Sequence, residues 1–209
     1  LKSGSRASYD AMMALVASSS PISDAGYQQL KQYLDMEEFI DYIIINIFIC
    51  NYDWPNKNWY AASLRGDPPA GPPAIRFRYF TWDNESTLGT GNRSTVGAPG
   101  SSTDTGPARI YDRVRRHPEF QQLFGDRVHR LMFNDGALTP AANTARLLFR
   151  ADQIVDAVVG ESARWGDWAS PTITYTRDEH WIVERDRLVS SYFPGRTAAV
   201  LNQFRAIDL

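Results

Sequence analysis

Apolar side chains recur at helical spacing along most of this chain and alternate strictly over one short stretch. Met12, Leu15 and Val16 on one face predict a helix over residues 8–18, ended by Ser18-Ser19-Ser20-Pro21. Ile22, Tyr27, Leu30, Tyr33 and Leu34 predict a second amphipathic piece. Asp35, followed three residues later by Glu38, reads as a capping box that opens a third helix. Its apolar residues Phe39, Ile40, Ile43, Ile44, Ile47 and Phe48 lie nearly all round, which predicts a helix central to the core. Such a helix delivers the loop 51–58 from a rigid base.

After that loop, residues 59–64 and 75–81 predict two strands, the second alternating Ile75, Phe77 and Tyr79 against Arg76, Arg78 and Phe80. Between them, Arg65-Gly66-Asp67-Pro68-Pro69-Ala70-Gly71-Pro72-Pro73 is too proline-rich for regular structure, so the pair reads as a hairpin with a long, stiff tip. Residues 84–107 are dominated by Gly, Ser, Thr and Asn and predict a flexible loop within the domain. Beyond it the pattern is helical, over 108–116, 118–133, 140–159, 177–192 and 196–204, two of these opening on a proline. The expected class is α+β, mainly α, without repeats.

At 209 residues and 43% hydrophobic, the chain can bury a substantial core, as one domain or two packed subdomains. With 22 basic and 24 acidic residues, it lacks the cationic footprint of nucleic-acid and anionic-membrane binders. The most apolar run, 42–50, falls well short of the ~20 residues of a membrane span and is interrupted by Asn46, so no span is expected. The single cysteine, Cys50, has no partner for an internal disulfide and reads as a small buried hydrophobe. The first residues lack a starting Met and the pattern of a signal peptide, so the chain is expected to be incomplete at its N-terminus. No address fixes a compartment.

Candidate chemistry concentrates in Asn51-Tyr52-Asp53-Trp54-Pro55-Asn56-Lys57-Asn58 and in Thr81-Trp82-Asp83 at the end of the second strand. A phosphoryl-transfer site needs one carboxylate to orient the attacking hydroxyl and oxygen ligands to hold magnesium across the phosphates. Asp53 suits the first task, and Asn58 and Asp83 suit the second. The spacing of Asp53 and Asn58 reproduces the D-x-x-x-x-N half of a protein-kinase catalytic loop, without its His-Arg part, and Asp83 takes the place of the D-F-G acid. Lys57 is a candidate phosphate contact, weighed against a solvated loop lysine.

The run Phe39-Ile40-Asp41-Tyr42, then Asn51-Tyr52-Asp53-Trp54-Pro55, Asn58-Trp59-Tyr60 and Phe80-Thr81-Trp82-Asp83 with Gly89 behind it, resembles the spore-coat protein H (CotH) kinase family. Pro118-Glu119-Phe120, Arg164-Trp165-Gly166 and a terminal helical pair over 177–204 are similar to that family's pattern too. The resemblance implies an atypical protein-kinase-like C-terminal lobe with its small hairpin at the active site. It implies ATP and Mg2+ or Mn2+ as cofactors, and Ser or Thr hydroxyls of a protein as acceptor. It also implies Asp53 as the catalytic acid, Asn58 and Asp83 as metal ligands, and the spore coat or the secreted and cell-surface compartments as location. An upstream lobe with a nucleotide-binding lysine is expected to be missing from residues 1–209, and Lys2 does not replace it. Cys50 stands where the family commonly has Gly, Tyr52 where Thr is common, and Glu85 where the second acid of W-D-x-D is usual.

Other signals are weaker. Trp54, Trp59, Tyr60 and Trp82 are expected to pack under the loop rather than line a groove. Arg65-Gly66-Asp67 matches an adhesion tripeptide but is too short to mean much, and Gly89, Gly91 and Gly97 lack the Lys-Ser or Lys-Thr of a phosphate loop. His117, His129 and His180 have no metal-site spacing, and no serine-hydrolase elbow is present. Two readings from other classes stay open: a non-catalytic, pseudokinase-like scaffold, and a metal-dependent phosphohydrolase that uses water as acceptor.

Overall fold

The structure, a computed structural model, describes residues 5–17, 21–89, 94–95, 106–207 and 209. It has the mainly helical α+β composition read from the sequence, with one two-stranded antiparallel sheet among the described residues. The chain divides into two compact units. The first takes in the described parts of Leu1–Gly89, Arg93–His129 and Asn202–Leu209, and the second takes in Arg130–Leu201. Most of the loop expected over 84–107, with Gly91 and Gly97, lies outside the described residues, as does Lys2.

In the first unit, α1 (Ala7–Leu15) and α2 (Asp24–Tyr33) precede α3 (Met36–Phe48), the axis of the core. Phe39, Ile40, Ile43, Ile44 and Ile47 are fully buried in α3, each worth about 1.5–3 kcal/mol of apolar burial. The capping box closes on one side only. The Asp35 carboxylate accepts the Glu38 N–H at 3.5 Å, but the Asp35 N–H goes to the Phe77 carbonyl at 3.0 Å instead of to the Glu38 side chain. Strand pairing wins because it satisfies a main-chain donor with a fixed partner, and Leu34 accordingly forms a parallel bridge with Phe77.

The hairpin forms where alternation predicts it, β1 (Trp59–Leu64) against β2 (Ile75–Thr81), paired from Trp59↔Thr81 to Leu64↔Ile75 with an irregularity between Ala62 and Leu64. The Ala74 N–H to the Leu64 carbonyl, 2.8 Å, closes the base of the tip. Phe77 and Tyr79 face inward, and the Tyr79 ring meets Phe39 at 5.5 Å and Tyr42 at 5.7 Å. At the other end the ladder runs one step past the strands, with the Trp82 N–H donating to the Asn58 carbonyl at 2.9 Å. Helix α4 (Pro107–Val114) and the first part of α5 (Pro118–Met132) complete this unit; Arg127 of α5 holds Asp41 and Glu37 of α3.

The second unit departs from the expected boundaries. The helix expected over 140–159 is two, α6 (Pro140–Ile154) and α7 (Ala157–Trp165), parted at Val155-Asp156, which keep right-handed helical dihedrals without a side-chain cap from Asp156. The pair expected over 177–192 and 196–204 is one helical run. It passes through a π-helical turn (Arg177–Trp181), α8 (Ile182–Arg187), a second π-helical turn (Leu188–Tyr192) and α9 (Phe193–Arg205). Pro194 does not end the run: it stands at the second residue of α9, straight after the second π-helical turn, where the Phe193 N–H reaches back to the Leu188 carbonyl and the α-helical bonding pattern has only begun.

Candidate functional site

The end of α3 carries a chain of amides. Asn46, the residue that interrupts the apolar run, is fully buried; its amide donates to the Tyr42 carbonyl at 2.8 Å and its oxygen accepts from the Asn51 amide at 2.8 Å. Asn51, 1% exposed, also donates to the Asn84 side chain at 3.0 Å and accepts the Asp53 N–H at 2.9 Å. Both amide hydrogens and the oxygen of Asn51 are thereby used, and one side chain ties helix α3 to the residue beside Asp83 and to the backbone of Asp53. Sequence reasoning missed this link. Its only signal was a polar residue at a core position of the helix.

Between these asparagines the chain turns sharply. Cys50, where the resembled family commonly has glycine, is buried and holds φ at 56°, the left-handed region that glycine enters without penalty. Asn58 and Asp83 also lie there, at 58° and 52°, and are residue types that tolerate it.

The structure brings Asp53, Asn58 and the Asp83 backbone together at the mouth of the hairpin. The Asn58 amide nitrogen donates to Asp53 Oδ2 at 3.0 Å and to the Asp83 carbonyl at 3.2 Å. The nitrogen is thus committed to two acceptors, and the amide oxygen has no partner among the described residues. The same holds for the exposed Asp83 carboxylate. Asp53 is mostly buried, its carboxylate 16% exposed, with Oδ1 3.3 Å from Lys57 Nζ. Lys57 is 67% exposed, a solvated lysine on one side and the counter-ion of Asp53 on the other.

Among the described residues no group of three or more His, Cys, Asp or Glu could hold a metal ion. The hairpin mouth offers instead the Asp83 carboxylate and the Asn58 amide oxygen, oxygen donors of the kind that Mg2+ takes when substrate phosphates and water complete its shell. The residues present fit that partial set.

The aromatic expectation divides. Trp54 is fully buried, packed edge-on against Tyr42 at 6.2 Å and Tyr111 at 6.0 Å, and Trp59 is half-buried against Tyr79. Tyr60 and Trp82 do not pack under the loop: they are 48% and 64% exposed on the outer hairpin face, beside Phe80. Strand alternation decides this, since residues 60, 80 and 82 share the face that points away from α3. Burial pushes the Tyr42 hydroxyl well above the ordinary tyrosine range, so it stays protonated beside the Trp54 carbonyl, 3.5 Å away. His117 is buried and stacked on Tyr27 at 4.0 Å, and His129 is exposed.

No match to a curated protein or to a solved structure was found. A family model described as CotH kinase protein matches residues 1–189, nearly the whole of the 209-residue chain, and spans the asparagine chain, the loop and the hairpin alike. With its acid, its amide and its strand-end acid all inside that match, this chain belongs to the CotH kinase family.

Proposed function

We propose that the protein transfers the γ-phosphoryl group of ATP to Ser or Thr hydroxyls of a protein substrate. The observation that supports this reading is the double hydrogen bond of the Asn58 nitrogen, to Asp53 and to the Asp83 carbonyl, which leaves the Asn58 oxygen and the Asp83 carboxylate unengaged. Asn58 and Asp83 would hold Mg2+ or Mn2+. A cation bound with ATP supplies charge neutralisation across the phosphate oxygens.

Asp53 orients the acceptor hydroxyl and takes its proton. Asn58 holds the Asp53 carboxylate in place for that task, and Asn51 holds its backbone. Lys57, exposed and long, exchanges Asp53 for a phosphate oxygen when nucleotide arrives. The spore coat or the cell surface is the proposed setting, on the strength of the family. Among the described residues no helix is long and apolar enough to cross a membrane.

The test is incorporation of labelled phosphate from ATP into protein by the complete gene product. Asp83→Ala is expected to abolish incorporation with an unchanged circular dichroism spectrum, and undiminished incorporation removes Asp83 from the metal role. Asp53→Ala is expected to lower transfer by about 10²–10⁴ while nucleotide still binds. Loss of both together makes Asp53 a structural acid. Release of free phosphate without labelled protein favours the phosphohydrolase reading instead.

A further inference from the structure

The second compact unit holds a cleft of about 630 Å3, formed by α7, the loop that follows it and the π-helical turn Arg177–Trp181. That volume lies within the ~300–1,000 Å3 of clefts that take small ligands or single side chains with their backbone. Trp165, Tyr175 and Trp181 wall it, Glu161, Glu179 and Glu184 bring carboxylates, and no Lys or Arg lines it.

Glu184 is matched by Arg187 through bonds of 2.6 and 2.7 Å. The carboxylates of Glu161 and Glu179 have no hydrogen-bond or ion-pair partner among the described residues. Two exposed carboxylates therefore stand without an ion-pair partner at an aromatic wall. The π-helical turn, a form that recurs at functional sites, brings Glu179, His180 and Trp181 to the same cleft. His180 Nδ1 accepts the Thr176 N–H at 3.1 Å, which makes Nε2 the donor side of the ring.

The cleft is built in advance of any occupant. The Tyr175 N–H donates to the Gly166 carbonyl at 2.7 Å and closes the loop, and a side chain at Gly166 would meet the carbonyls of Tyr175 and Ser162. Both indoles already hold a guanidinium of this chain: Arg164 lies 4.9 Å from the Trp165 ring and Arg185 6.0 Å from the Trp181 ring, and neither arginine lines the cleft. Rings placed this way attract cations through their π faces.

We propose that this cleft binds an arginine or lysine side chain presented by a basic peptide segment of a partner protein. Charge complementarity selects that occupant, since an anionic or purely apolar one leaves Glu161 and Glu179 without a counter-charge beside the rings. Binding needs neither nucleotide nor metal, so it stands separately from phosphoryl transfer.

The test is titration of the full chain with N-acetylated tetra-arginine amide, without ATP, followed by tryptophan fluorescence and calorimetry, with a Gly-Ser tetrapeptide as the neutral probe. Saturable binding of the arginine peptide alone is expected. The double variant Glu161→Gln/Glu179→Gln is expected to weaken it about fivefold or more, and Trp181→Leu to weaken it without any change in net charge. The double variant Asp126→Asn/Asp135→Asn, which removes the same charge from exposed positions outside the cleft, is expected to leave it within about twofold. Absence of saturable binding, full affinity in the Glu161→Gln/Glu179→Gln protein, or an equal loss in the Asp126→Asn/Asp135→Asn protein each overturns the proposal.

Discussion

Replacing Asn51 by alanine separates what holds the candidate site from what reacts there. The substitution removes the bonds to Asn46 at 2.8 Å, to Asn84 at 3.0 Å and from the Asp53 N–H at 2.9 Å. These losses are unequal. Asn84 is exposed and water replaces its partner almost fully, whereas the Asn46 side-chain oxygen is buried and loses its donor. Leaving such an acceptor unsatisfied costs about 1–3 kcal/mol, and the half-buried Asp53 amide adds about 1 kcal/mol. Asn51→Ala should therefore destabilise the protein by about 2–4 kcal/mol in urea titration. Replacing both buried partners together, as Asn46→Leu/Asn51→Leu, removes the orphaned oxygen and should recover most of that loss. It cannot restore the bond that holds the Asp53 backbone, so phosphate incorporation should stay depressed in the double variant even as stability returns. A loss below about 0.5 kcal/mol in Asn51→Ala, or full transfer in the double variant, refutes the reasoning.

Other outcomes follow from single positions. At Cys50, φ of 56° should make Cys50→Gly nearly neutral, and Cys50→Val should cost about 2 kcal/mol despite its similar volume, measured by urea midpoints. The hydrogen bonds from Lys31 and Gln28 hold the Glu119 carboxyl below its ordinary range. A depressed carboxyl stabilises the fold above its unfolded value and loses that effect as pH falls through the lowered folded value. Wild type should thus exceed Glu119→Gln in thermal midpoint at neutral pH, with the gap closing on acidification through that window.

The helices and the hairpin were legible because their burial follows period and alternation: α3 is apolar on nearly every side and proved central, with Ile45 its one exposed apolar residue, and β2 shows the inward Phe77 and Tyr79 that its alternation promises. Asp53, Asn58 and Asp83 were legible as a motif, although the contact between the last two runs through the Asp83 carbonyl, which no side-chain pattern encodes. The asparagine chain was hidden because Asn51 and Asn84 are far apart in sequence and their bond depends on the hairpin folding back onto the end of α3. The division of the helix over 140–159 and the fusion of the last two helices were equally out of reach. Local propensity marks Asp156 and Pro194 as interruptions without saying which the surrounding turns absorb.

The hairpin is clamped at both ends of its ladder, by Trp82 on Asn58 at the mouth and by Ala74 on Leu64 at the base of the proline-rich tip. Length added beyond that second clamp lies outside the paired region. The tip carries bonds of its own: the Gly71 N–H donates to the Pro68 carbonyl at 2.9 Å, and the Ser8 hydroxyl of α1 donates to the Gly71 carbonyl at 2.8 Å. A short epitope spliced between Pro68 and Pro69 opens that turn and should lower stability while leaving phosphate incorporation in place, whereas the same splice between Asn58 and Trp59 should abolish incorporation.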